Sequence, residues 1–127
     1  AAERRGEDGR PWIERALQDF EAGLRAAPHA LPFLYNTASA RAYRGELRAK
    51  AGEDPADDHA AALQGFSAAL AVNPAFWQAR QARGMLHARL GNVADACADY
   101  AAALAINKSL AEVAARLAAL RSRGGVR

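Results

Sequence analysis

Four carboxylates, Glu53, Asp54, Asp57 and Asp58, crowd into six positions, and a cluster of that kind is the raw material of a calcium loop. The spacing does not follow D-x-[DN]-x-[DN]-G and no closing glutamate comes after it. The segment reads instead as a solvated loop in which Asp57 or Asp58 caps the next helix. The histidines His29, His59 and His87 are scattered, and no two sit at metal-ligand spacing with a third acid or cysteine; no metal site is expected. Cys97, the single cysteine, cannot form an intrachain disulfide. As a nucleophile it would need a base held by a third group; His87 could supply the base, but no orienting residue follows. There is no glycine-rich phosphate loop and no dinucleotide fingerprint. No catalytic residue and no cofactor are expected, and the chain reads as a non-enzyme.

The remaining chemistry lies in the arginines. Arg80, Arg83 and Arg89 share one segment without an acid, and Arg41, Arg44, Arg48 and Lys50 stand against Glu46 in an earlier one. Such faces attract anions, either acidic peptides or nucleic acid. Helical periodicity spreads these side chains around the axis, and Arg80 and Arg83 lie within reach of Asp95 or Asp99. An RNA surface also needs exposed stacking aromatics, for which Tyr35 and Tyr43 are the candidates, so nucleic acid is the weaker expectation. The net charge is +3, concentrated in the tail at Arg121, Arg123 and Arg127. No apolar run approaches the length of a membrane span and the N-terminus lacks a signal-peptide pattern. No membrane association and a cytoplasmic location are therefore expected.

The elements that must position these residues are helical. Hydrophobic residues make up 51% of the chain, much of it alanine, and β-branched residues are few, which favours helix. No alternating run suggests a strand. Apolar spacing predicts helices over about 11–27, 30–51, 59–72, 75–90 and 93–106, with a sixth following Ser109 and ending before Gly124. In the first, Trp12, Ala16, Leu17, Phe20, Leu24 and Ala27 form the inward face. Gly91-Asn92 and Asn73-Pro74 mark tight turns.

The chain repeats itself. Ala62, Leu63, Phe66, Ala69, Leu70 and Asn73 return at an offset of 34 as Ala96, Cys97, Tyr100, Ala103, Leu104 and Asn107, and Leu17, Phe20, Leu24 and Pro28 return at an offset of 46 as Leu63, Phe66, Leu70 and Pro74. The difference fits an insertion of helix or loop between Tyr43 and His59. A period in this range signals stacked helical repeats. Cys97, standing where Leu63 does, reads as a small buried hydrophobe. Phe20, Phe66 and Tyr100 read as core plugs.

This pattern resembles the tetratricopeptide repeat (TPR) over about residues 12–121. Gly84, Gly91, Ala96, Tyr100 and Ala103 match the family pattern in one unit, and Ala38, Ala62, Phe66, Ala69 and Pro74 in the one before. The chain departs from it at Lys108, which replaces the closing proline, and at Arg80, which takes the first-helix tryptophan position while Trp77 lies one turn earlier. The resemblance implies an all-α fold, a right-handed stack of antiparallel helix pairs in an α-solenoid of about six helices. It would comprise a half-unit 12–29, a lengthened unit 30–74, a standard unit 75–108 and a capping helix 109–121, between a disordered lead-in 1–11 and tail 122–127.

It also implies a concave groove for an extended protein or peptide segment. Tyr35, Asn36, Ser39 and Tyr43 would line it, with Gln78, Gln81, Met85 and Arg89 from a second helix and Arg116 from a third. A non-catalytic protein–protein interaction module or scaffold is the resulting expectation. The alternative is a structural or self-associating module, two copies meeting through Trp12 and Ile13 at the N-terminal end face. An anionic-ligand or RNA-binding repeat comes third.

Overall fold

A computed structural model of the chain describes residues 10–124. Among them are six helices: α1 (Arg10–Ala26), α2 (Leu31–Lys50), α3 (Ala56–Val72), α4 (Trp77–Arg89), α5 (Val93–Ile106) and α6 (Ala111–Gly124). They fall into two compact units divided between Val72 and Asn73, α1–α3 in the first and α4–α6 in the second. The expected lead-in 1–11 lies outside the described residues except for Arg10 and Pro11, which already belong to α1. At the other end, helix continues through Ser122 to Gly124, and the rest of the expected tail is outside the described residues.

In the first unit, Ile13 and Leu17 of α1 are buried against Ala40 of α2, with Phe20 and Leu47 packed beside them. This corrects the predicted inward face. Trp12 is 66% exposed while Ile13 is 2% exposed. Leu17, Phe20 and Leu24 are buried or half-buried as expected, but Ile13 rather than Trp12 begins their stripe at helical spacing. Ile13 is therefore core and unavailable to an end-face contact.

α2 has 20 residues against 13 in α4, and α3 has 17 against 14 in α5, so the insertion between Tyr43 and His59 is mostly added helix. Gly52 ends the extended hairpin arm at φ 79°. The Glu53 amide donates to the Arg48 carbonyl at 2.8 Å and the Gly52 amide to the Ala49 carbonyl at 3.1 Å, closing a Schellman motif. The second unit uses the same device: Gly91 has φ 81°, and the Asn92 amide donates to the His87 carbonyl at 2.8 Å.

The start of α3 also differs from expectation. Asp54 rather than Asp57 or Asp58 holds the incoming chain, accepting from the Ala56 amide at 2.9 Å. Asp57 and Asp58 lie in the first turn, where the helix dipole favours a negative charge, and Asp58 is only 2% exposed. Arg44 grips the Asp58 carboxylate through Nε at 3.1 Å and Nη2 at 2.7 Å, and Arg48 donates to it at 2.9 Å. Arg44 also donates to Glu14 at 2.9 Å, tying α1 to the hairpin. Its guanidinium pKa is raised, chiefly by the hydrogen bond to Asp58.

The second unit is built on alanine and one large ring. Ala96, Cys97 and Tyr100 of α5 join Val113, Leu117 and Leu120 of α6 in one core, with Met85, Ala88 and Leu110 against it. Cys97 is buried, in keeping with its repeat register. Gly84 lets α4 approach α5: a Cβ there would stand 2.9 Å from the Tyr100 ring. Asn73 and Asn107 open their turns alike, accepting from the amides of Ala75 and Ser109 at 3.0 and 3.1 Å.

Candidate functional site

The expected binding residues fall into two sets, one in each unit. In the first unit all four lie along α2. Tyr35 is half-buried and meets Phe66 with ring centroids 5.9 Å apart and planes tilted by 53°, so it serves packing first. Asn36 and Ser39 are half-buried, and Tyr43 is exposed. Their spacing places Tyr35, Ser39 and Tyr43 along one stripe of the helix, with Asn36 beside it.

In the second unit, Gln78, Gln81, Met85 and Arg89 follow one another along α4 at spacings of three and four. Gln78 and Gln81 are half-buried, Met85 packs against the core and Arg89 is exposed. Arg116 projects from α6. Its guanidinium donates to Glu112, one turn earlier, at 3.1 and 2.6 Å, and this contact raises its pKa. Both side chains are largely exposed, so the pair contributes little to stability.

Three elements enclose a cavity of about 130 Å³ in this second unit. Ala88 comes from α4, Tyr100 from α5, and Arg116, Ala119, Leu120 and Arg123 from α6. The sequence pointed to Arg116 but missed Arg123, although Arg123 lies seven residues on along the same face, a spacing that repeats every two turns. It also treated Tyr100 as core alone. The ring is core at 1% exposure, yet it also lines this cavity.

Burial pushes the Tyr100 phenol above its ordinary pKa of 10, and the positive charges of Arg116 and Arg89 partly oppose the shift. A phenol whose folded pKa exceeds its unfolded one retains its proton in the folded chain after the unfolded chain has lost it. Its contribution to stability is then complete below about pH 10 and lost as the pH rises further. Absorbance titration of the folded chain against its Tyr100→Phe variant should show the Tyr100 phenol ionising only above its ordinary range. A Tyr100 signal that titrates near pH 10 without unfolding would contradict the burial.

The other charged clusters neutralise themselves. An opening of about 370 Å³ in the first unit is lined by Arg10, Pro11, Glu14, Arg44, Arg48 and Glu53, but Arg10 is bound to Glu53 at 2.8 Å and Arg44 to Glu14 at 2.9 Å. In the second unit Arg83 donates to both oxygens of Asp99 at 2.8 and 2.7 Å, with Arg80 3.8 Å away. That removes Arg80 and Arg83 from any anion-attracting face. Among the described residues no group of three or more His, Cys, Asp or Glu side chains is placed to hold a metal, and no helix is long and apolar enough to cross a membrane. His87 contacts Asn92 through Nδ1 at 3.2 Å.

The fold and these faces define an all-α helical repeat of TPR-like architecture. No family model matches the sequence, and no curated protein matches it. Solved structures do match its fold. The first TPR of Spaghetti (RPAP3), bound to the HSP90 peptide SRMEEVD, is 20% identical with a TM-score of 0.75, over 96% of this chain and 89% of that one. The second TPR domain of human RPAP3, in complex with the HSP70 peptide SGPTIEEVD, is 17% identical with a TM-score of 0.69, over 94% and 91%. The Yersinia enterocolitica type III secretion chaperone SycD, in complex with a peptide of the translocator YopD, is 12% identical with a TM-score of 0.72, over 97% and 90%. At these identities the likeness establishes the fold.

Proposed function

We propose that this chain is a non-catalytic interaction module whose second unit receives an acidic peptide segment. The observation that carries this reading is the cavity lined by Ala88, Tyr100, Leu120, Arg116 and Arg123. It offers a small apolar recess beside two guanidinium groups, with Arg89 adding positive potential. A peptide carboxylate would take the arginine forks in charge-assisted hydrogen bonds, and a neighbouring aliphatic side chain would enter the recess. All three solved structures named above hold peptides, and two of those peptides end in Glu-Glu-Val-Asp. Their acidic character complements this face and supports the same class of ligand here.

Glu112 has a defined place in this reading. It occupies Arg116 in the free chain, and an incoming carboxylate must displace or share it. The test is fluorescence polarisation with a labelled SRMEEVD peptide at low and high salt. The double substitution Arg116→Ala/Arg123→Ala is expected to weaken binding about tenfold or more, and Glu112→Gln to strengthen it, with the helical circular dichroism unchanged. Binding that is indifferent to these three charges, or no binding of the peptide by the folded chain, would overturn the reading.

A further inference from the structure

The two units treat one position of the repeat in opposite ways. In the second, Asp99 on α5 is 4% exposed and gripped by Arg83 on α4. The offset of 34 puts Gly65 of α3 where Asp99 stands, and the offset of 46 puts Thr37 of α2 where Arg83 stands. The first unit thus keeps both helices and lacks both halves of the ion pair. A Cβ at Gly65 would stand 2.7 Å from the Ala38 Cβ, so α3 lies directly against α2 there, and beside that contact is a cavity of about 230 Å³, lined by Leu24, Leu34, Thr37, Arg41, Gln64 and Gly65 among others. Thr37 is 5% exposed, and its Oγ1 is buried with no hydrogen-bond partner. A buried hydroxyl without a partner is destabilising, and native structures rarely keep one without a use.

We propose that this cavity binds a carboxylate on a short apolar stem. Its donors suit that group. Thr37 offers the buried hydroxyl and Gln64 an amide at the exposed rim. Arg41 spends Nη2 on Glu21 at 2.6 Å and keeps its other guanidinium N–H groups. Leu24 and Leu34 supply apolar wall for the stem. A cavity of 150 Å³ accepts a benzene ring, so this one has room for a branched group of similar size. On α2, Thr37 and Arg41 lie about half a turn from the stripe through Tyr35 and Ser39. The site therefore differs from the expected groove face, and it is independent of the peptide-binding reading for the second unit.

The carboxylate could be a free aliphatic acid or a glutamate side chain of a partner, and NMR titration of the whole chain separates the two. Isovalerate is the free-acid probe, isovaleramide its neutral counterpart, and an acetylated tetrapeptide with one glutamate among leucines the side-chain probe. Saturable shifts of the Thr37 and Gly65 amides are expected with isovalerate, on the order of millimolar affinity for so small a ligand, and about fivefold weaker with the amide. The near-isosteric Thr37→Val should stay folded and weaken binding about fivefold, and Ala61→Leu, which fills the cavity from α3, should abolish it. Shifts produced by the tetrapeptide assign a partner's glutamate, and shifts with isovalerate alone assign a free acid. No saturable shift with either, equal binding of acid and amide, or binding retained in Ala61→Leu would overturn the proposal.

Discussion

Replacing Tyr100 by alanine is expected to lower the unfolding free energy by about 3–5 kcal/mol. The ring is 1% exposed, sits in one core with Ala96, Val113, Leu117 and Leu120, and lies under Gly84, where α4 comes closest. Ala96 and Ala88 of that core and Gly84 above the ring have no side-chain length with which to close the hole. Against a typical total of about 5–15 kcal/mol, such a loss would leave a substantial fraction unfolded at body temperature. Urea denaturation followed by circular dichroism measures it. Tyr100→Phe is the informative control, because Phe66 fills the equivalent position of the first unit; it should stay within about 1 kcal/mol of the parent. Tyr43→Ala, at an exposed position, should change stability by less than about 0.5 kcal/mol. A Tyr100→Ala variant as stable as Tyr43→Ala would refute the packing described.

The second large effect is expected at Arg83. Arg83→Thr leaves the Asp99 carboxylate buried with only Arg80, 3.8 Å away, and removing one member of a buried pair is far costlier than removing both. The loss should be about 3 kcal/mol. Adding Asp99→Gly to the same chain reproduces the residues that the first unit carries at Thr37 and Gly65. That double variant should be more stable than Arg83→Thr alone, with a coupling of more than about 1 kcal/mol in the double-mutant cycle. Additive losses would mean that the two side chains do not depend on each other.

The contrast between these two positions also marks how far the sequence could be read. Helix number and type, the glycine turns and the repeat registers followed from composition and spacing, because alanine-rich amphipathic helices leave few alternatives. The inward line of α1 did not. Trp12 and Ile13 each begin a stripe at helical spacing, and only packing against Ala40 and Leu47 decides between them. Asp58 likewise has the sequence signature of a cap, but Arg44 and Arg48 draw it into the hairpin and Asp54 takes the turn. For the proposed second-unit site, the resemblance to the repeat family had named Arg116 as a groove residue. The recess beside it was not, since it depends on how Ala88, Tyr100 and Leu120 meet in three dimensions. The loss of the ion pair from the first unit could have been found by aligning Gly65 with Asp99 and Thr37 with Arg83, a comparison of substitutions rather than of matches.

The left-handed glycines at the hairpin tips bear on what the chain tolerates. A Cβ at Gly52 or Gly91 would meet nothing within 4 Å, so each of these glycines faces open space, while side-chain contacts such as Arg10–Glu53 and Asn92–His87 hold the turns beside them. The longer helices α2 and α3 show that an arm ending in such a tip can be lengthened by whole turns while Phe66 and Ala69 stay buried below it. The tips are therefore natural attachment points. A flexible reporter or a second recognition segment could be spliced after Gly52 or Gly91, neither of which lines a cavity of its own unit, and the chain could gain a new specificity there without repacking its core.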